Sequence, residues 1–122
     1  MFFLRGKYDL DKKIETAGLG NCFISEITIA ELKFGAQNSN NPIKNSKIVS
    51  EFQEMFDILP IFSSLDLYAK EKTRLRKLGK ALDDFDLLIG TTAIANGLTL
   101  VTNNISDFER LNGVEIEDWT KI

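Results

Sequence analysis

The chain has 122 residues, 43% hydrophobic and 27% charged, and its 15 Lys and Arg stand against 18 Asp and Glu for a net charge of −3. A chain of this size buries about two thirds of its unfolded surface, so one domain over residues 1–122 is expected, without a disulfide or structural metal. Cys22 is the single cysteine and there is no histidine, which excludes an intramolecular disulfide framework, zinc fingers, and Ser-His-Asp, Cys-His or paired-histidine catalysis.

If the chain catalyses, carboxylates or a hard metal ion must do the work. No apolar run reaches the roughly 18 residues of a membrane span. The opening Met1-Phe2-Phe3-Leu4-Arg5-Gly6 has no cleavage-site pattern, so a cytoplasmic protein with no membrane partner is expected.

In chain order, Leu10 to Ala17 reads as a short helix stopped by Gly18-Leu19-Gly20, and Cys22-Phe23-Ile24-Ser25 as a buried strand. Thr28 stands three residues before Glu31, the spacing of a capping box, and predicts a helix running towards Gly35. Asn38 to Pro42 is a polar loop. Ile48, Phe52, Met55 and Leu59 recur at helical spacing and predict a helix from about Lys44 to Asp57, followed by a short strand over Ile58 to Phe62. Ser63 or Ser64 then caps a helix with Leu65, Tyr68, Leu75 and Leu78 inward, ending at Gly79. The acidic Asp83-Asp84-Phe85-Asp86 precedes a nearly all-apolar helix from Leu87 to Ala95, stopped by a left-handed cap at Asn96-Gly97. Leu98 to Thr102 is a strand, Asn103-Asn104 a turn, and Ser106 to Arg110 one or two helical turns. Val114 and Ile116 mark a last edge strand, with Trp119 packing near the end.

Helices between strands are the pattern of βαβ crossovers, so an α/β fold with a parallel sheet and helices on both faces is expected. Ligands of such sheets sit beyond the carboxyl ends of the strands. Glu31, Asp86 and Asp107 occupy positions of that kind. Singly, each is explained by capping or by the helix dipole. Three carboxylates at one mouth would repel one another, and a divalent cation with oxygen ligands relieves that repulsion. Magnesium or manganese in such a site suits phosphodiester cleavage without an imidazole.

Four ordered blocks carry a family resemblance. Ile24-Ser25-Glu26-Ile27-Thr28-Ile29-Ala30-Glu31-Leu32-Lys33-Phe34-Gly35-Ala36, Asp86-Leu87-Leu88-Ile89-Gly90, Leu100-Val101-Thr102-Asn103-Asn104 with Asp107-Phe108, and Val114-Glu115-Ile116-Glu117-Asp118-Trp119 resemble the blocks of VapC-type toxins of the PIN-domain ribonuclease family. The resemblance implies a PIN-like three-layer α/β/α fold and a magnesium-dependent (or manganese-dependent) endoribonuclease. It implies the toxin of a type II toxin–antitoxin pair, cleaving structured RNA such as transfer RNA. It also implies a VapB-like antitoxin and a homodimer. Carried over by motif, Glu31, Asp86 and Asp107 are the catalytic metal-site acids, Asn104 is a second-rank metal ligand, and Thr28 and Thr102 are hydroxyls orienting water or phosphate.

The family's opening strand ending in "LLDTN" has no counterpart here, so the sequence predicts an N-terminally truncated domain with its central first strand missing and its first aspartate absent. Asp9 and Asp11 are poor substitutes. Weakened metal binding and impaired cleavage are then expected, with Met1 an internal methionine of a longer frame as the favoured reading and an altered or partner-completed sheet as the other. A catalytically inert PIN-like module that still docks an antitoxin is the alternative. Lys70, Lys72, Arg74, Arg76, Lys77 and Lys80 form a basic run in which Arg74, Arg76 and Lys77 are candidate contacts to RNA backbone, against the plainer reading of a solvated helix face. Phe2, Phe3, Phe52 and Phe56 are expected in the core or against a partner helix rather than stacked on bases.

Overall fold

Short apolar, β-prone segments alternate with helices along the chain, and in the computed structural model, which describes residues 2–4 and 16–119, they assemble as a parallel sheet. Its strands are β1 (Phe2–Leu4), β2 (Cys22–Ser25), β3 (Asp57–Leu59), β4 (Thr99–Val101) and β5 (Glu115–Glu117), in the order β3-β2-β1-β4-β5. Each neighbouring pair is parallel. Parallel pairing forces long crossovers, supplied by α1 (Glu26–Gln37), α2 (Pro42–Glu54), α3 (Leu65–Lys77), α4 (Asp84–Ala95) and the single-turn α5 (Ile105–Phe108).

Successive residues of a strand point to opposite faces, and two cores result. Leu100 joins Leu75, Leu87, Ile89, Ala93, Phe108 and Leu111 on the α3–α4 side. Val101, its neighbour in β4, joins Leu4, Cys22, Ile24, Ile29 and Phe56 on the other. The three-layer α/β/α arrangement expected from the sequence is therefore present. Phe56 is buried and packs on Phe52 with ring centroids 4.9 Å apart, and Phe2 meets Trp119 edge-on at 5.2 Å.

The centre of the sheet departs from expectation. It is not missing a strand: Phe2 pairs with Cys22 and Thr99, and Leu4 with Ile24 and Val101. The physical reason is that β2 and β4 would otherwise face one another across a gap with unpaired backbone donors and acceptors. Three consecutive apolar residues satisfy those groups, and Leu4 is 1% exposed. The helix read over Leu10 to Ala17 lies outside the described residues except for Thr16 and Ala17, which are helical. Asp9 and Asp11 also lie outside them.

Other boundaries shift for local reasons. α1 starts at Glu26, not after Thr28, because Ser25 caps it, its hydroxyl accepting from Ile27 N at 3.0 Å. α2 starts early because Asn41 caps Lys44 N and Pro42 sits in the first turn, where its missing N–H costs nothing. Its buried face runs through Val49, with Phe52 half-buried, while Ile48 and Met55 are about half exposed. The expected stripe is thus rotated by one residue. β3 covers Asp57–Leu59, ending before Pro60. On α3, Leu75 is buried but Leu65 and Leu78 are exposed. α4 includes Asp84 to Asp86 because Asp83 is its cap, accepting from Phe85 N at 3.1 Å. It ends at Asn96 and Gly97, whose φ of 65° is the left-handed conformation expected there. In mid-helix, Gly90 lies so close to α5 and the residues after it that a Cβ would collide with Leu111 Cδ1.

Candidate active site

Because all five strands run the same way, the amino ends of α1, α4 and α5 gather at the carboxyl edge of the sheet, which is where the three acids were expected. Thr28 lies in the first turn of α1 and Glu31 in the second. With Ser25 as the cap, the capping-box explanation for Glu31 no longer applies. Glu31 is half-buried, with Oε1 shielded from solvent. Thr28 Oγ1 is buried and has no hydrogen-bond partner among the described residues. A buried, unsatisfied hydroxyl costs about 1–3 kcal/mol.

Asp86 is half-buried in the first turn of α4. Capping is done by Asp83, and Asp84 points sideways, accepting from Tyr68 Oη and Lys72 Nζ at 2.8 Å each. The Lys72 ammonium, helped by the Tyr68 hydroxyl, lowers the Asp84 carboxyl from its ordinary value. Asp86 is not the cap of α4, and the helix dipole favours an acid at its position, as expected.

Past β4, Thr102 is buried and its Oγ1 accepts from Asn104 N at 3.1 Å. Asn104 Nδ2 donates to Asp107 Oδ2 at 2.9 Å, and Arg110 Nη2 lies 3.5 Å from Asp107 Oδ1. Thr102, Asn104 and Asp107 are thus brought together in one hydrogen-bonded run. Arg110, which the sequence did not mark as a site residue, also donates through Nη1 to Ala81 O at 3.3 Å. Its three-residue offset from Asp107 on a helical turn was the available signal.

Arg74 is half-buried and held by partners within the fold. Its Nε donates to Glu71 Oε2 at 2.7 Å, and its Nη2 to Glu71 Oε1 at 3.0 Å and Arg110 O at 2.6 Å. Arg76 and Lys77 are exposed.

Glu31, Asp86, Asp107 and Asn104 offer hard oxygen donors, which suits magnesium in kind. The placement does not: among the described residues no three Asp, Glu or Cys side chains stand together as a metal site. Each Asp107 oxygen already faces a donor. The residues as placed do not fit a shared dication.

The model of the PIN domain matches residues 5–114. The chain belongs to the PIN-domain family. Within it, this PIN domain is 32% identical to the tRNA(fMet)-specific endonuclease VapC of Shigella flexneri over 102 residues, 83% of this chain and 77% of that one. It is 35% identical to the ribonuclease VapC2 of Rickettsia felis over 99 residues, 80% and 74% of the two chains. Among solved structures it resembles the DNA-bound VapBC of Salmonella typhimurium, with a TM-score of 0.88, 28% identity and 97% coverage of each chain. The PIN domain is thus of VapC type. No helix among its described residues is long and apolar enough to cross a membrane.

Proposed function

We propose that this PIN domain is an endoribonuclease toxin of a type II toxin–antitoxin pair, acting on structured RNA such as transfer RNA and restrained by a VapB-like antitoxin. What supports the reading is the placement of Glu31, Asp86 and Asp107 in the first two turns of helices that begin along one sheet edge, in a chain similar to proteins named as ribonucleases and transfer RNA endonucleases. Similarity to VapBC assemblies supports the antitoxin, and a homodimer is proposed with it. In this reading Asn104 and Arg110 orient Asp107, and Thr102 holds the backbone of that turn. Thr28 keeps an unused hydroxyl next to the edge, able to donate to a water or phosphate oxygen.

The family resemblance implies magnesium or manganese. Since no three described acids stand together as a metal site, and β1 offers Phe2, Phe3 and Leu4 with no carboxylate, the metal-dependent activity of this chain is proposed to be weak. Incubating transfer RNA with the purified chain and magnesium or manganese tests both statements. Slow cleavage that disappears in Asp86→Asn is expected. Cleavage unaffected by Asp86→Asn would refute the site, and a rate equal to that of the Shigella relative would refute the impairment.

That no three acids form a metal site among the described residues also favours a second reading, a non-cleaving module that binds an antitoxin. Complete absence of cleavage, together with no heat on titrating manganese into the chain–antitoxin complex, would decide for it.

A further inference from the structure

Tyr68, Lys72 and Arg76 stand four residues apart along α3 and so share one face, while Glu71, Arg74 and Leu75 turn inward. That outer face is hollowed. A depression of about 430 Å³ is lined by Tyr68, Lys72, Arg76 and Lys77, and a second of about 310 Å³ by Lys72, Arg76, Leu82 and Leu87. Lys72 and Arg76 border both, so the two make one trough. It runs from the last turn of α3 to Leu87, the residue after Asp86.

The charge in the trough is unevenly balanced. Lys72 is paired with Asp84 at 2.8 Å and lies 5.6 Å from the Tyr68 ring centroid. Arg76 and Lys77 have no ion pair or hydrogen bond from their side chains among the described residues. In a chain of net charge −3, this leaves two uncompensated cations on a trough that reaches Leu87, next in sequence to Asp86. Both side chains only donate, and the Arg fork matches two oxygens of one phosphate.

We infer that this trough is a phosphodiester-backbone subsite, in which Arg76 and Lys77 hold RNA phosphates and direct the strand along α3 towards Asp86. The inference rests on the ribonuclease reading and deepens it: the occupant of a groove that reaches the first turns of α4, the helix carrying Asp86, is the substrate's own backbone. It also drops Arg74, committed to Glu71, from the basic run as a phosphate contact. A purely structural role, cations favouring the negative end of the α3 dipole, would appear in stability and not in the salt dependence of RNA binding.

The test measures binding of a fluorescein-labelled transfer RNA anticodon stem-loop in EDTA, across salt, to the unchanged chain, to Arg76→Gln/Lys77→Gln and to Lys70→Gln. Lys70 lines a separate hollow with Asp66 and controls for loss of positive charge elsewhere. Single-stranded contacts contribute a slope of about −0.7 per phosphate. The double variant should therefore flatten the plot of log affinity against log salt by about 1.4. Between about 50 and about 200 mM salt it should lose about sevenfold less affinity than the unchanged chain. Lys70→Gln should keep the original slope.

An unchanged slope in the double variant would overturn the subsite, and so would an equal flattening by Lys70→Gln. Failure of the unchanged chain to bind the stem-loop would overturn it as well. If the double variant instead lost affinity for a polyglutamate peptide while its RNA slope stayed fixed, the trough would belong to an acidic polypeptide. Cleavage of transfer RNA by the unchanged chain, assayed separately with manganese, shows whether the ribonuclease reading survives a failed subsite.

Discussion

Glu71 is 5% exposed, yet its carboxylate is fully engaged: Oε2 accepts from Arg74 Nε, and Oε1 accepts from Arg74 Nη2 and from Asn112 N at 2.7 Å. Glu71→Gln keeps the shape. Its amide oxygen can replace Oε1, but its NH₂ then faces the Arg74 Nε–H, donor against donor. Losing one charge-assisted bond and gaining that opposition should cost about 1–2 kcal/mol. Glu71→Ala also strands the Asn112 N–H and should cost about 2–3 kcal/mol, or roughly 10 °C in melting temperature for a domain of this size. The pH dependence is the sharper test. The hydrogen bonds from Arg74, and secondarily that from Asn112, lower the Glu71 carboxyl despite its burial. A depressed carboxyl stabilises the fold above its unfolded value of about 4.3, and that contribution is lost as pH falls through the still lower folded value. Urea unfolding of the unchanged chain and Glu71→Gln should show a constant gap from about pH 8 to 5, closing below about pH 4. A gap that persists undiminished in acid, or none at pH 7, would refute the account.

Phe108→Ala empties the space beside Gly90 and should destabilise by about 3–5 kcal/mol in the same unfolding assay. Gly90→Ala should lose about 1–2 kcal/mol despite alanine's better helix propensity, because Leu111 is boxed in. In a Leu111→Ala background the same change should become stabilising, and additive behaviour would show that the contact does not matter. Thr102→Val removes the acceptor for Asn104 N. It should cost about 1 kcal/mol and broaden the Asn104 side-chain amide signals in NMR spectra as the Asp107 contact loosens.

Much of this architecture was legible in the residues. Cys22–Ser25 is a strand with the boundaries read from its composition, and the apolar run from Leu87 made α4 plain. Asn96-Gly97 ended that helix as its chemistry requires. What was not legible depended on competition between neighbours. Ser25 and Thr28 are both good caps, and only the end of β2 decides which hydroxyl meets a free N–H. Arg74 and Arg76 look alike in the sequence, but one points to Glu71 and Arg110 O while the other lines the trough. The partnership of Lys72 with Asp84 crosses twelve residues and a turn, which no local pattern reports. The placement of Asp86 and Asp107 in first helical turns follows from topology, because helix starts at strand ends are predictable. Whether the acids meet is not predictable in that way, because it depends on helix rotation and side-chain direction.

The three-residue β1 has a mechanical meaning. Among the described residues it is the seam joining the β3–β2 half of the sheet to the β4–β5 half, stitched by a handful of backbone hydrogen bonds. A longer apolar segment offered to that slot, from the same polypeptide or another, would outcompete Phe2–Leu4 residue for residue. Such a segment would also have to supply the side chain that Leu4 now buries between Ile24 and Val101.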